Sequence, residues 1–289
     1  MKRWDPLPWL LLIPTILCLG LFVLYPAVQS VFLSFHELDP FSQSATFVGL
    51  DHYRDLLTSP DYWDSFKTTL LFLAYTVIPS VVLSLLVAVG LDANPFFQPV
   101  LRTIFLLPVA VSSAMAAMLW IFIYNPTAGF LNYFLETIGI SGPNWLGDPN
   151  HALAAVAVAT VWKEIGFNVI FLLAGLASVP NELREAARID GANALQRFRH
   201  VIIPILSPTL LFVTVVSMIN AFQSFGQIHI LTGGGPAGAT NTLVYNLYKD
   251  AFVNFRTGWA SCQAVVLFLI LMGATFFQFW VAKRRVHYG

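Results

Sequence analysis

The chain has 289 residues and a net charge of zero; hydrophobic residues make up 57% of it and charged residues only 10%. Soluble domains contain about 25% charged residues, so this chain lacks the polar surface that a water-soluble fold needs. The absence of net positive charge also argues against nucleic-acid binding. The composition therefore indicates an integral membrane protein.

Six intervals with few or no charged residues are long enough to cross a bilayer, which takes about 20 apolar residues per helix. They cover residues 9–33, 68–91, 101–124, 152–178, 203–225 and 259–282. The first interval follows Lys2 and Arg3, but it is too long for a signal peptide and no cleavage site follows it. We therefore expect a retained helix there, and an all-α membrane protein with six transmembrane helices in a single domain over residues 1–289.

The distribution of Lys and Arg predicts that both termini lie in the cytoplasm. Six spans place the two termini on one side, and cytoplasmic segments are enriched in these two residue types. Four of them fall in one set of connecting segments, namely Arg54, Lys67, Lys249 and Arg256. Ten fall in the opposite set, namely Lys2, Arg3, Arg102, Arg184, Arg188, Arg197, Arg199, Lys283, Arg284 and Arg285.

The cytoplasmic segment 180–204 is predicted to form two short helices. Asn181 is a suitable N-cap for the first helix, and Gly191 is a natural C-terminal stop. Asn193 is a suitable N-cap for the second helix, which leads into the fifth span. The composition of this segment alone is equally typical of an ordinary solvated connection.

The spacing of residues in this segment resembles the EAA loop of binding-protein-dependent ABC importer permeases. The matching residues are Glu185, Ala186, Ala187, Gly191, Val201, Ile203 and Pro204. The resemblance implies the type I ABC importer permease fold, in which this helix-turn-helix docks on a cytoplasmic ATPase subunit. It also implies that Glu185 and Gly191 act in coupling to the ATPase and that Arg188 and Asp190 flank the contact.

The resemblance extends over most of the chain. Segments 46–53, 106–111, 232–236 and 242–248 are similar to carbohydrate-type permeases of that family. Segments 39–41 and 120–126, together with Trp162 and Lys163, are most similar to the first permease subunit of sn-glycerol-3-phosphate importers.

This likeness implies a subunit of the bacterial cytoplasmic (inner) membrane that binds no cofactor itself. Its implied partners are a second permease, two ATPase subunits that carry ATP and Mg, and an extracytoplasmic substrate-binding protein. The implied cargo is glycerol 3-phosphate or a glycerophosphodiester, and a neutral sugar or oligosaccharide is the alternative.

Lys163 and Glu164 lie near the middle of the fourth span. A charge at that depth costs at least about 2.5 kcal/mol, so each needs a partner or a water-filled cavity. Adjacent residues of a helix point about 100° apart, so these two do not satisfy each other. They either form ion pairs with other helices or line a substrate path. The resemblance favours the path, because Lys163, Glu164 and Phe167 fall at positions that contact sugar in maltose-type permeases.

The fifth span carries four small or polar residues at the spacing i, i+3, i+4 and i+7, namely Ser217, Asn220, Ala221 and Ser224. This spacing places them on one face of a helix. Stripes of small and polar residues also mediate helix packing in membranes. Resemblance to the sugar-contacting face of the same helix in maltose-type permeases favours a cavity lining.

The sequence contains no catalytic or metal-binding motif, so we expect a non-catalytic transport subunit. Residues 233–238 have the spacing G-x-x-x-x-G, but Ala239 and Thr240 follow where a phosphate-binding loop needs Lys and Ser or Thr. A self-sufficient secondary transporter is the less favoured alternative. That class often contains inverted repeats, which we do not detect, and it has no use for an EAA loop.

Overall fold

In the computed structural model of the protein, which describes residues 7–38, 44–93 and 98–283, almost all regular structure is helical. The helices are α1 (Leu7–Leu19), α2 (Tyr25–Leu33), α3 (Asp51–Thr58), α4 (Pro60–Ala93), α5 (Gln98–Ala110), α6 (Ser113–Ile123), α7 (Phe130–Thr137), α8 (Pro149–Ala177), α9 (Asn181–Ile189), α10 (Ala194–Arg197), α11 (Ile203–Phe222), α12 (Gly226–Leu231), α13 (Leu243–Tyr248) and α14 (Thr257–Ala282). Three π-helical segments join or extend them, at Gly20–Leu24, Phe198–Ile202 and Lys249–Val253. Strand β1 (His36–Leu38) pairs antiparallel with β2 (Ala45–Phe47).

Five helical stretches are long and apolar enough to cross a membrane, and the all-α membrane fold predicted from the sequence is confirmed. They are Leu11–Leu33, Pro60–Ala93, Pro149–Ala177, Ala194–Phe222 and Thr257–Ala282. A sixth span is obtained if α5 and α6 are counted together, although their axes differ by 103°.

The third predicted span, 101–124, is therefore not one continuous helix. The helix breaks between Ala110 and Ser113, where Ser112 adopts an extended conformation with ψ of 154°. The Ser112 hydroxyl accepts a hydrogen bond from the backbone N–H of Met115, which makes Ser112 the N-cap of a new helix. The interval 101–124 is rich in apolar residues in spite of Ser112, so hydropathy alone does not reveal the break.

The described residues form two compact units, the first within Met1–Trp63 and Asn246–Ile270 and the second within Asp64–Tyr245 and Leu271–Gly289. In the first unit, the buried carboxylate of Asp250 accepts hydrogen bonds from Gln263 Nε2 at 2.6 Å and from Asn254 Nδ2 at 2.9 Å. These amides satisfy a charge that would otherwise be costly to bury.

The second unit has its hydrophobic core where α4, α8 and α11 meet. Buried residues there include Ala88 of α4, Leu172 of α8 and Leu206 of α11. Two glycines of α8 allow close packing: a Cβ at Gly175 would lie 2.6 Å from Leu206 Cδ1, and a Cβ at Gly166 would collide with the backbone oxygen of Phe105 in α5. Such small residues are typical of close helix contacts in membranes.

The segment 180–204 forms the two predicted short helices, with one difference at its start. Asn181 is the first residue of α9 rather than its N-cap, because Pro180 occupies the cap position and provides no side-chain hydrogen bond. Asn193 caps α10 as predicted, in a reciprocal pair with Gln196.

The predicted stop at Gly191 is also confirmed. Gly191 has a φ of +76°, a left-handed conformation that favours glycine. The N–H of Gly191 donates to the oxygen of Arg188 at 3.1 Å and the N–H of Ala192 to that of Ala187 at 3.0 Å. These two bonds form a Schellman motif, which ends α9 at this point.

Candidate functional site

A cavity of about 370 Å³ lies within the second unit, between α8 and the C-terminal end of α11. Five of the seven residues predicted to line a substrate path border it, namely Lys163, Glu164, Phe167, Asn220 and Ser224. The first three project from the middle of α8. Asn220 lies in the last turn of α11, and Ser224 follows the end of that helix at Phe222.

Ser217 and Ala221 do not line this cavity, which differs from the predicted stripe. Both side chains are buried. Asn168 of α8 donates through Nδ2 to Ser217 Oγ at 3.0 Å and to Ser80 Oγ of α4 at 2.8 Å. Ser217 thus belongs to a polar contact that holds three helices together, which is the packing alternative noted from the sequence.

Lys163 and Glu164 have no ion-pair partner within 4.0 Å in the part of the chain that the structure describes. Glu164 Oε2 is buried and accepts no hydrogen bond from any described residue. Both side chains border the cavity instead. The described residues therefore provide neither Lys163 nor Glu164 with the partner that a structural ion pair between helices would need.

Four polar residues of the cavity wall were not predicted from the sequence, namely Ser113, Thr160, Gln223 and Gln227. Thr160 precedes Lys163 by three positions and so lies on the same helical face, a signal that the sequence did contain. Gln223 follows the end of α11 and Gln227 lies in the first turn of α12, so helical spacing along α11 could not place them. Ser113 comes to the cavity because the helix breaks at Ser112.

The EAA loop presents an exposed surface. Glu185, Ala186, Arg188, Asp190 and Gly191 are exposed, Ala187 is half-buried, and Pro204 lies in the first turn of α11. Three large apolar side chains, those of Leu183, Ile189 and Leu195, are exposed beside them. Ile189 is 87% exposed, which is unusual for a branched aliphatic residue on a solvated surface. Charged and large apolar side chains are thus exposed side by side on this segment.

Over residues 80–287 the sequence matches the family described as "Binding-protein-dependent transport system inner membrane component". The chain belongs to this family. The permease is 42% identical over 284 residues to the sn-glycerol-3-phosphate transport system permease protein UgpA of Agrobacterium fabrum, an alignment that covers 98% of this chain and 97% of the relative. It is 38% identical over 287 residues to UgpA of Pectobacterium atrosepticum, an alignment that covers 99% of this chain and 97% of that relative.

Solved structures show that the permease shares a known fold. A chain of the bacterial alginate ABC transporter in complex with alginate pentasaccharide-bound periplasmic protein superposes with a TM-score of 0.86 and 22% identity, over 98% of each chain. A chain from another structure of a bacterial transporter that imports alginate superposes with a TM-score of 0.84 and 23% identity, over 97% of this chain and 96% of the other. The permease therefore has the type I ABC importer permease fold that the EAA loop implied.

Proposed function

We propose that the permease forms, with a second permease subunit, the translocation path for glycerol 3-phosphate and glycerophosphodiesters. The observation that carries this proposal is the 42% identity to UgpA over nearly the full length of both chains. The subfamily features of segment 120–126 and of Trp162 and Lys163 point in the same direction. Segment 39–41, a further subfamily feature of the sequence, lies outside the described residues.

The chemistry of the cavity suits a polyol phosphate. Lys163 supplies a positive charge for a phosphate group in a site of low dielectric, where an anion without a counter-charge is costly. The amides of Asn220 and Gln223 and the hydroxyl of Thr160 are suitable hydrogen-bonding partners for the hydroxyl groups of glycerol. Phe167 offers an apolar surface for the carbon skeleton.

In this proposal the permease catalyses no reaction and binds no cofactor. Two ATPase subunits bind ATP and Mg, and one of them receives the EAA loop, with Glu185, Ala186, Ala187 and Gly191 at the contact. Arg188 and Asp190 flank this contact, and Pro204 begins the helix that follows. Closure of the ATPases on ATP moves α9 and switches the cavity from inward-facing to outward-facing.

The permease is proposed to lie in the bacterial cytoplasmic membrane with both termini inside and to receive cargo from an extracytoplasmic binding protein. The unequal distribution of Lys and Arg supports this orientation. Four of these basic residues, Lys2, Arg3, Arg284 and Arg285, lie outside the described residues. A reporter that is active only outside the cytoplasm should stay silent when fused after Gly289.

The function can be tested by reconstituting the permease with its second permease, its ATPase and its binding protein in liposomes. We expect ATP inside the liposomes to drive accumulation of labelled glycerol 3-phosphate, and unlabelled glycerophosphocholine to compete with it. Uptake of labelled maltose without uptake of glycerol 3-phosphate would contradict the proposed cargo but would agree with the proposed importer function. Uptake driven by an ion gradient without the ATPase would instead identify a secondary transporter.

A further inference from the structure

Arg184 of α9 contacts the ends of two long helices at once. Its Nη1 donates to Oδ2 of Asp92, in the last turn of α4, at 2.6 Å. Its Nη2 donates to the backbone oxygen of Leu176, in the last turn of α8, at 2.9 Å. The side chains of Arg184 and Asp92 are only 25% and 26% exposed, so this ion pair is shielded from water to a degree that ordinary surface pairs are not.

The electrostatics of the helix ends explain why an arginine suits this position. The C-terminal end of a helix carries a partial negative charge, which makes a carboxylate such as Asp92 unfavourable there and a cation favourable. The guanidinium compensates Asp92 and the carbonyl of Leu176 together. It does so with two donors in a fixed planar fork, whereas the ammonium of a lysine concentrates its charge at one point.

This contact also distinguishes Arg184 from the rest of α9. Its neighbours Leu183 and Glu185 are exposed, as is most of that helix. In the described part of the chain, the side-chain hydrogen bonds that α9 makes to other helices are those of Arg184. The guanidinium is therefore the point at which the exposed docking helix is fixed to α4 and α8.

We propose that Arg184, paired with Asp92, is a positioning residue for coupling: it transmits movement of α9 to α8. Helix α8 carries Lys163, which lies thirteen positions before Leu176 and thus roughly 20 Å away along a straight helix. A displacement of α9 by the ATPase then shifts the cavity wall through the contact of Arg184 with α8, in addition to the connection at residues 178–180. This role rests on the proposed function of α9 as the ATPase-docking helix.

The experiment uses the complete reconstituted complex and measures the ATP hydrolysis that the loaded cognate binding protein stimulates, together with the cargo taken up per ATP hydrolysed. The single variants are Asp92→Asn, which removes the charge and keeps the shape, and Arg184→Met. We expect both complexes to assemble and to hydrolyse ATP at the basal rate. Stimulation and uptake per ATP should fall roughly tenfold, which is typical of a lost coupling interaction.

Two further variants separate coupling from folding. The double variant Asp92→Asn/Arg184→Met should lose no more stimulation than Arg184→Met alone, because both substitutions break the same contact. The matched control is Asp64→Asn, which breaks the ion pair of Asp64 with Lys67 at the other end of α4, where both side chains are about 70% exposed. It should leave stimulation and uptake per ATP unchanged.

Unchanged uptake per ATP in the assembled single variants would overturn the proposal. Losses that multiply in the double variant would also overturn it, because the two residues would then act independently. If the single variants and the double variant all fail to assemble, the contact serves folding alone and the coupling role is wrong. Because stimulation of ATP hydrolysis is measured with whatever ligand the binding protein carries, an error in the proposed cargo would leave this test intact.

Discussion

Glu164 and Asn168 lie one turn apart on the same side of α8, yet their surroundings are opposite. Asn168 is almost fully buried, and its amide bonds to hydroxyls on two neighbouring helices. Glu164 borders the cavity, and one of its carboxylate oxygens is buried without a hydrogen-bond partner among the described residues. A single helix turn therefore separates a polar side chain with its partners in place from one that lacks them.

The difference shows how a membrane helix can carry two kinds of polar residue. A buried polar group is costly unless it is hydrogen-bonded, so the contacts of Asn168 with Ser80 and Ser217 hold the fold together. Lys163 and Glu164 gain little from their described neighbours, and their hydrogen-bonding capacity is available to a molecule in the cavity. Substitutions at the packed contact of Asn168 and at the cavity should therefore have different effects.

The largest effect is expected from Lys163→Met, which keeps roughly the length of the side chain and removes the charge. If Lys163 serves as the counter-charge for an anionic cargo, uptake should fall roughly tenfold or more. Folded yield and basal ATP hydrolysis should be unchanged. A reduced folded yield that Lys163→Met/Glu164→Gln restores would show instead that Lys163 belongs to the scaffold.

The next effect is on stability and comes from Asn168→Leu. The substitution leaves the hydroxyls of Ser80 and Ser217 buried without the amide, which should lower the free energy of unfolding by about 1–3 kcal/mol. The measurement is the thermal unfolding midpoint in detergent. Adding Ser80→Ala and Ser217→Ala should recover part of the loss, and no recovery would contradict the role of the polar contact.

The same substitution at the cavity, Asn220→Leu, should act on transport rather than on folding. Asn220 is exposed, so the unfolding midpoint should stay close to that of the unaltered permease. Loss of one hydrogen bond to the cargo is worth about 0.5–1.5 kcal/mol, and uptake at low cargo concentration should fall by roughly that equivalent, a few-fold. A lowered unfolding midpoint with normal uptake would show that Asn220 serves the packing of the fold and not the binding of cargo.

The smallest effect on stability is expected from Glu164→Gln. The carboxylate is desolvated without gaining a partner in the described chain, so its neutral isostere should leave the free energy of unfolding unchanged or raise it. The unfolding midpoint again provides the measurement. A strongly destabilised Glu164→Gln variant would contradict this expectation and would indicate that the carboxylate has a stabilising partner in the folded protein.

The sequence predicts those features that depend on local chemistry. Continuous runs of apolar residues indicate the long helices. Gly191 indicates the end of α9 and Asn193 the start of α10, because helix capping acts within one turn. The spacing of the EAA loop identifies the family for the same reason, since the motif lies within one short segment of the chain.

The parts that sequence reasoning missed depend on where helices end and which helices meet. Ser217 and Asn220 have similar polarity and lie three positions apart, but only the packing of α4 and α8 decides that the first is buried against Asn168. Gln227 reaches the cavity because α11 ends at Phe222 and the chain enters α12, so helical spacing counted along α11 does not predict its position.

The break between α5 and α6 has a consequence for how the protein is made. With 13 and 11 residues, neither helix is long enough to cross the hydrocarbon core alone, which takes about 20 residues. Irregular backbone at membrane depth is tolerated only where protein or a water-filled cavity surrounds it. Helix α5 packs against α8, and α6 packs against α12, and both of these partners leave the ribosome later. Both helices therefore leave the ribosome before their packing partners, and a nascent chain stopped before residue 226 lacks the helix against which α6 packs.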